Sequence, residues 1–176
     1  KITKISDYRI TDMHEEDVTE DLLNDTTYSL MIVNYKVYFD IENKQVVKRD
    51  TLFLEQPEDS MKILSINSVT QNVDVPVFRK DWINLYQEKI LPLLKKAESA
   101  HINAYVVFGG LSVEQMQEAS QVLGLNVPVY QSDETILKTV IRSNPGIILW
   151  KDGKIIKKWH INKAPDWEGV ESYLKN

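Results

Sequence analysis

Few residues of this chain could carry covalent or acid–base chemistry, and their spacing narrows it further. There is no cysteine, so no disulfide, thiolate nucleophile or cysteine-bound metal can form within it. The three histidines are scattered. His14 stands in Met13-His14-Glu15-Glu16-Asp17, whose spacing matches no helical or hairpin ligand pattern, and an exposed acidic turn is expected. His101 precedes an expected strand and His160 ends one. Neither has an obvious serine or carboxylate partner in sequence. Phe108-Gly109-Gly110-Leu111-Ser112 brings two glycines to a helix start, where an anion could be received. The full phosphate-loop pattern is missing, so a tight strand-to-helix turn is the expectation. Neither metal nor cofactor is expected.

Composition excludes more. The 176 residues suit one domain with a real core, and 43% hydrophobic with 27% charged residues is ordinary for a globular chain. A net charge of −5 gives no electrostatic reason for binding nucleic acid or an anionic membrane surface. Lys151, Lys154, Lys157, Lys158 and Lys163 are expected on the wet face of a hairpin. No apolar run approaches the ~20 residues of a spanning helix, and no secretory leader is visible.

The elements that must position any site follow from periodicity. Ile5-Ser6-Asp7-Tyr8-Arg9-Ile10 alternates and predicts an entry strand, after which Thr19 could cap a short helix carrying Leu22 and Leu23. Tyr28 to Val37 is nearly all apolar and rich in branched residues, as in a strand buried on both faces. Residues 36–80 read as an insertion, with two strands around a turn at Glu42-Asn43-Lys44 and then a loop with a short strand. Trp82, Tyr86, Ile90, Leu93, Leu94 and Ala97 form a helical stripe, with Asp81 as N-cap and Pro92 as a kink. Ile102 to Gly110 is a second buried strand. Ser112 and Gln115 are spaced as a capping box, and Gly124 ends that helix. A short strand at Val127–Tyr130 precedes a helix with Ile136, Val140 and Ile141 on one face. Gly146 to His160 is a hairpin turning at Asp152-Gly153, on which Trp150 and Trp159 could face each other. Asp166 caps a last helix. Alternating strands and helices with a closing hairpin predict a largely parallel sheet, an antiparallel edge and helices on both faces.

Pro145, Gly146-Ile147-Ile148-Leu149-Trp150, Lys151-Asp152-Gly153 and Lys154 to Trp159 run without a gap. That spacing resembles the closing segment of the thioredoxin-like superfamily. Pro92 resembles the kinking proline of the family's active-site helix. The resemblance implies a thioredoxin-like three-layer α/β/α sandwich with a mixed sheet and C-terminal antiparallel hairpin, spanning 1–176 as a single domain with the insertion at about 36–80. It also implies a cis bond between Asn144 and Pro145. Counting back from Pro92 lays the family's two cysteine positions on Asn84 and Gln87, in Asn84-Leu85-Tyr86-Gln87. Neither side chain can exchange disulfides, so dithiol and peroxidatic chemistry are excluded for this chain. Glu134 to His160 also resembles the C-terminal soluble domain attached to DoxX-family membrane proteins of Bacteroidetes. That likeness implies an extracytoplasmic (periplasmic) domain, tethered to the inner membrane through a segment absent here, and a start at Lys1 agrees with it.

Three functions follow as expectations. The first is a non-catalytic binding or accessory domain that takes an extended peptide or protein partner at Ser143, Asn144, Pro145 and Tyr86. The second is an enzyme using non-cysteine residues such as Tyr86 or His160. The third is a structural or oligomerisation module with 36–80 as its contact surface. The oligomeric state is left open.

Overall fold

The computed structural model describes residues 8–54 and 62–174. The elements in chain order are β1(Ile10–Thr11), α1(Thr19–Leu23), β2(Tyr28–Asn34), β3(Phe39–Leu54), β4(Lys62–Phe78), α2(Lys80–Leu85), α3(Leu91–Ser99), β5(Asn103–Gly109), α4(Val113–Leu123), β6(Val129–Ser132), α5(Glu134–Val140), β7(Gly146–Lys151), β8(Lys154–His160) and α6(Trp167–Glu171). A π turn, Tyr86–Ile90, joins α2 to α3.

The molecule is mixed α/β. Six strands form one sheet in the order β1-β6-β5-β2-β7-β8, and β3 and β4 form a separate two-stranded sheet. β2 is parallel to β5 and antiparallel to β7, with Val33 opposite Val107 on one side and Gly146 on the other. The branched, apolar runs therefore occupy the three central strands, where both faces need covering. Alternation divides the core between the faces. Met31, Val33, Tyr105, Val107, Ile148 and Trp150 form one cluster with Leu137 and Ile141 at the end of α5. Asn34 and Phe108 point the other way, where Trp82 and Tyr86 lie against them. Helices thus pack on both faces.

Local signals set several boundaries as expected. Ser112 Oγ accepts from Gln115 N–H and the Gln115 side chain accepts from Ser112 N–H, a complete capping box. Gly124 ends α4 with φ +67°. Asp166 accepts from Gly169 N–H at 2.9 Å. Asp152 and Gly153 take positive φ values of 52° and 65°, as a two-residue primed turn requires.

Other expectations need correction. Thr19 does not cap α1 but is its first residue; its Oγ1 accepts from Ile10 N–H at 2.7 Å and donates to Asp17 at 2.6 Å. That tertiary bond competes with a cap. Arg79, not Asp81, holds the N-cap position of α2, and Asp81 instead pairs with Arg79 at 2.7 Å. The interruption at Pro92 takes the form of a π turn: Leu91 N–H reaches back to Tyr86 O, just before the residue that has no N–H to give. In α5 the fully buried side chain is Leu137 rather than Ile136. Trp150 lies opposite Ile155 and Trp159 opposite Ile147, so the tryptophans do not face each other. Trp159 meets Tyr173 edge-on and Trp150 meets Tyr105. The expected entry strand from Ile5 lies partly outside the described residues, and β1 is its described part.

The insertion forms a compact unit of its own, Phe39–Val77. β3 runs unbroken through Glu42-Asn43-Lys44, where a turn was expected, and β4 fills most of the expected loop. Asn43 Nδ2 donates to Asp74 Oδ1 at 2.9 Å, joining the start of one strand to the end of the other, so the two run antiparallel. Turn-forming residues stay extended here because a partner strand holds them.

Candidate functional site

The site is built where β2 ends. Beyond the Val33–Gly146 pair the strands part, and the Ser143-Asn144-Pro145 corner lies against the segment that follows β2. The peptide between Asn144 and Pro145 is cis. Asn144 Nδ2 donates to Lys36 O at 2.7 Å, and Lys36 N–H is 3.5 Å from Asn144 Oδ1. The carboxamide thus stands in for a strand partner. The backbone N–H and C=O of Asn144 make no hydrogen bond among the described residues.

Ser143 is buried and carries the corner. Its Oγ donates to Pro145 O at 2.6 Å and accepts from Ile161 N–H at 2.8 Å. One hydroxyl therefore ties the turn to the end of β8, where His160 stands opposite Gly146. His160 Nδ1 accepts from Asn162 N–H at 3.1 Å. Gly109 belongs to the same construction. A Cβ there would lie 2.5 Å from Tyr35 O, so the backbone after β2 passes too close for any side chain. This close approach, together with φ +72° at Gly110, accounts for the paired glycines.

Under the corner is an aromatic cluster. Asn34 is fully buried. Its Nδ2 donates to Tyr86 Oη, and its Oδ1 accepts from Trp82 Nε1 at 3.3 Å. The Trp82 ring lies 5.4 Å from Phe78, 5.1 Å from Tyr86 and 6.2 Å from Phe108. Burial pushes the Tyr86 phenol well above its ordinary range, and the Asn34 bond only partly offsets this. Tyr86 is therefore sealed, neutral and already hydrogen-bonded. It can support the site from below but cannot touch a ligand or trade a proton with one.

Asn84 and Gln87 do not stand at a helix N-terminus. α2 starts at Lys80, and the two residues follow in its second turn and in the π turn, both exposed. The helix that contains them begins four residues before Asn84, so neither side chain is at its first turn. Of the residues singled out from sequence, Ser143, Asn144 and Pro145 come together. Asn34, Lys36, Trp82 and Gly109 join them and were missed as site residues. The one sequence signal for Asn34 is a polar residue ending an apolar run. His14 and His101 are exposed and remote in sequence from this corner, and no metal-holding cluster of His, Cys, Asp or Glu occurs among the described residues.

An open depression of about 400 Å³ adjoins this corner through the Lys36–Glu134 ion pair at 3.7 Å, and Arg9, Gly110, Gln131, Asp133, Glu134 and Ile136 are among the residues lining it. Its walls carry both charge signs and no buried charged group. No helix among the described residues is long and apolar enough to cross a membrane. No protein-family model matches the chain, and no curated protein matches it.

Proposed function

We propose that this chain is a redox-inactive, thioredoxin-like binding domain that takes an extended peptide segment at the Asn144–Pro145 corner. The observation carrying this is the Asn144 backbone: an N–H and a C=O without partners, at the point where β2 and β7 separate. An extended segment satisfies such groups by adding strand-like hydrogen bonds. The family resemblance supports the same place, since thioredoxins pair substrate backbone beside their cis proline, and the bond here is cis. The Ser143 tie and the Asn144 clamp on Lys36 hold the corner in shape before any partner arrives, which lowers the ordering cost of binding. No thiol exists in the chain to react with what binds. The enzyme alternative loses Tyr86, whose hydroxyl is engaged and enclosed.

The resemblance of Glu134 to His160 to the soluble domain of DoxX-family membrane proteins leads us to place the domain outside the cytoplasm, as the soluble part of a larger membrane-anchored protein. Fractionation of the native gene product, with protease accessibility from each side, tests that assignment.

The binding function is tested by selecting from a displayed library of linear peptides and mapping the winners by amide NMR shifts. Shifts centred on Tyr35, Lys36 and Asn144 are expected. Selection failure, or shifts confined to Arg9, Thr11 and Gln131 of the depression, overturns the proposal.

A further inference from the structure

The corner that carries the Asn144 backbone is cationic on its α5 side. Lys36 Nζ lies 3.7 Å from Glu134 Oε1, with both side chains about half exposed. Lys138 Nζ lies 5.7 Å from the centre of the Tyr35 ring, and Tyr35 is the residue before Lys36. Arg142 is exposed two residues before Asn144, and its carbonyl oxygen lies 3.5 Å from the Tyr35 hydroxyl. Lys158 Nζ donates to Val140 O, at the last residue of α5. Among the described residues Glu134 is the one carboxylate that pairs with any of these four cations. Asp133, beside it, caps α5 and accepts from Ile136 N–H. Lys138, Arg142 and Lys158 thus have no carboxylate counter-ion among the described residues, on a chain whose net charge is −5.

We infer that the extended segment taken at this corner is acidic, with Asp or Glu at alternate positions on the face turned to α5. The inference rests on the peptide-binding reading above and names the class of peptide. Backbone pairing with Asn144 is blind to sequence, so the choice among segments must come from side chains. Successive side chains of an extended segment point to opposite faces, so alternate ones share the α5 side. A carboxylate there meets cations that are already placed, Lys158 by a backbone carbonyl and Lys138 over an aromatic ring. The Lys158 ammonium has three N–H groups and gives one to Val140, which leaves donors for a carboxylate. A Lys or Arg at the same positions would meet like charge, which penalises the wrong segment. The net negative charge of the whole chain works against acidic segments elsewhere on its surface.

The test uses three pools of synthetic linear peptides of equal length, identical except at alternate positions, which carry Asp and Glu, Lys and Arg, or Ser and Asn. Fluorescence anisotropy with the whole chain gives each affinity, and amide NMR shifts place each peptide. The acidic pool is expected to bind about tenfold tighter than the Ser/Asn pool, with shifts at Lys36 and Asn144, and to lose that advantage at high salt. Lys138→Glu/Arg142→Glu is expected to turn the preference toward the Lys/Arg pool. Both side chains are exposed, and a reversed preference, unlike a loss of binding, cannot come from misfolding. Equal affinities with shifts at Asn144 would leave the corner a peptide site without regard to charge, and this inference alone falls. A preference for the Lys/Arg pool, or acidic binding that leaves Asn144 unshifted, overturns it as well. If no pool binds, the peptide-binding reading itself falls and takes this inference with it.

Discussion

Asn34 and Tyr86, 52 positions apart, share a fully buried hydrogen bond at the end of the central strand. It fixes the helix that starts at Lys80 over the sheet, and it leaves Trp82 to complete the amide's second contact. Removing the phenol oxygen leaves a buried donor without an acceptor. Tyr86→Phe is expected to cost about 1–3 kcal/mol in denaturant unfolding. Asn34→Leu should cost a similar amount. The double variant should cost less than the two summed, because the orphaned partner disappears as well. Strict additivity would show that the bond does not couple the two sites.

Tyr105 is the contrasting case. Its hydroxyl and Trp150 Nε1 are both buried, and among the described residues neither makes a well-formed hydrogen bond, although the Trp150 indole N–H faces the hydroxyl closely enough to offset part of the burial. Tyr105→Phe removes a poorly satisfied polar atom and keeps the ring that packs edge-on against Tyr130 and Trp150. Stability should stay level or rise by up to about 1 kcal/mol, measured in the same denaturant series.

Ser143→Ala strips one hydroxyl from two buried backbone groups, Pro145 C=O and Ile161 N–H. At roughly 1–2 kcal/mol each, the loss should be about 2–4 kcal/mol. Faster amide exchange at Ile161 would place the damage at that tie.

Burial raises the Tyr8, Tyr86 and Tyr105 phenols above their ordinary range. The unfolded chain ionises tyrosine near pH ~10. The stability tied to these neutral phenols is therefore complete below that pH and is lost as pH rises above it. By phenolate absorbance, Tyr8, Tyr86 and Tyr105 should ionise only together with the loss of circular dichroism.

At the acid end the sign reverses. Hydrogen bonds from Thr27 hold Asp25 below its ordinary value, and bonds from Thr19 do the same for Asp17. Their contribution is present above the unfolded value of about 3.9 and is lost as pH falls below it. Asp25→Asn should flatten that part of the acid unfolding curve, and an unchanged curve would exclude Asp25 as its source.

Much of the frame was legible along the chain because it depends on near neighbours. Branched apolar runs marked the central strands, Ser112 with Gln115 marked a helix start, and Asp152-Gly153 marked a turn. That turn's arithmetic already sets Trp150 opposite Ile155, so the expected Trp150–Trp159 pair was a misreading of available information. The ends of α1 and α2 were not legible, since Thr19 and Asp81 find partners that local capping rules do not include.

The sequence by itself determined the alternation of strands and helices, the absence of thiol chemistry, and the Ser143-Asn144-Pro145 corner as a place to look. Only the tertiary structure decided that Asn34 lies beneath Tyr86, that Asn84 and Gln87 sit past the first turn of α2, and that β3 runs straight through Glu42-Asn43-Lys44. Periodicity reports which face of an element is apolar, a property of residues close in sequence. Hydrogen-bond partners across 52 or 31 positions are set by register between elements, and register is fixed only when the sheet forms.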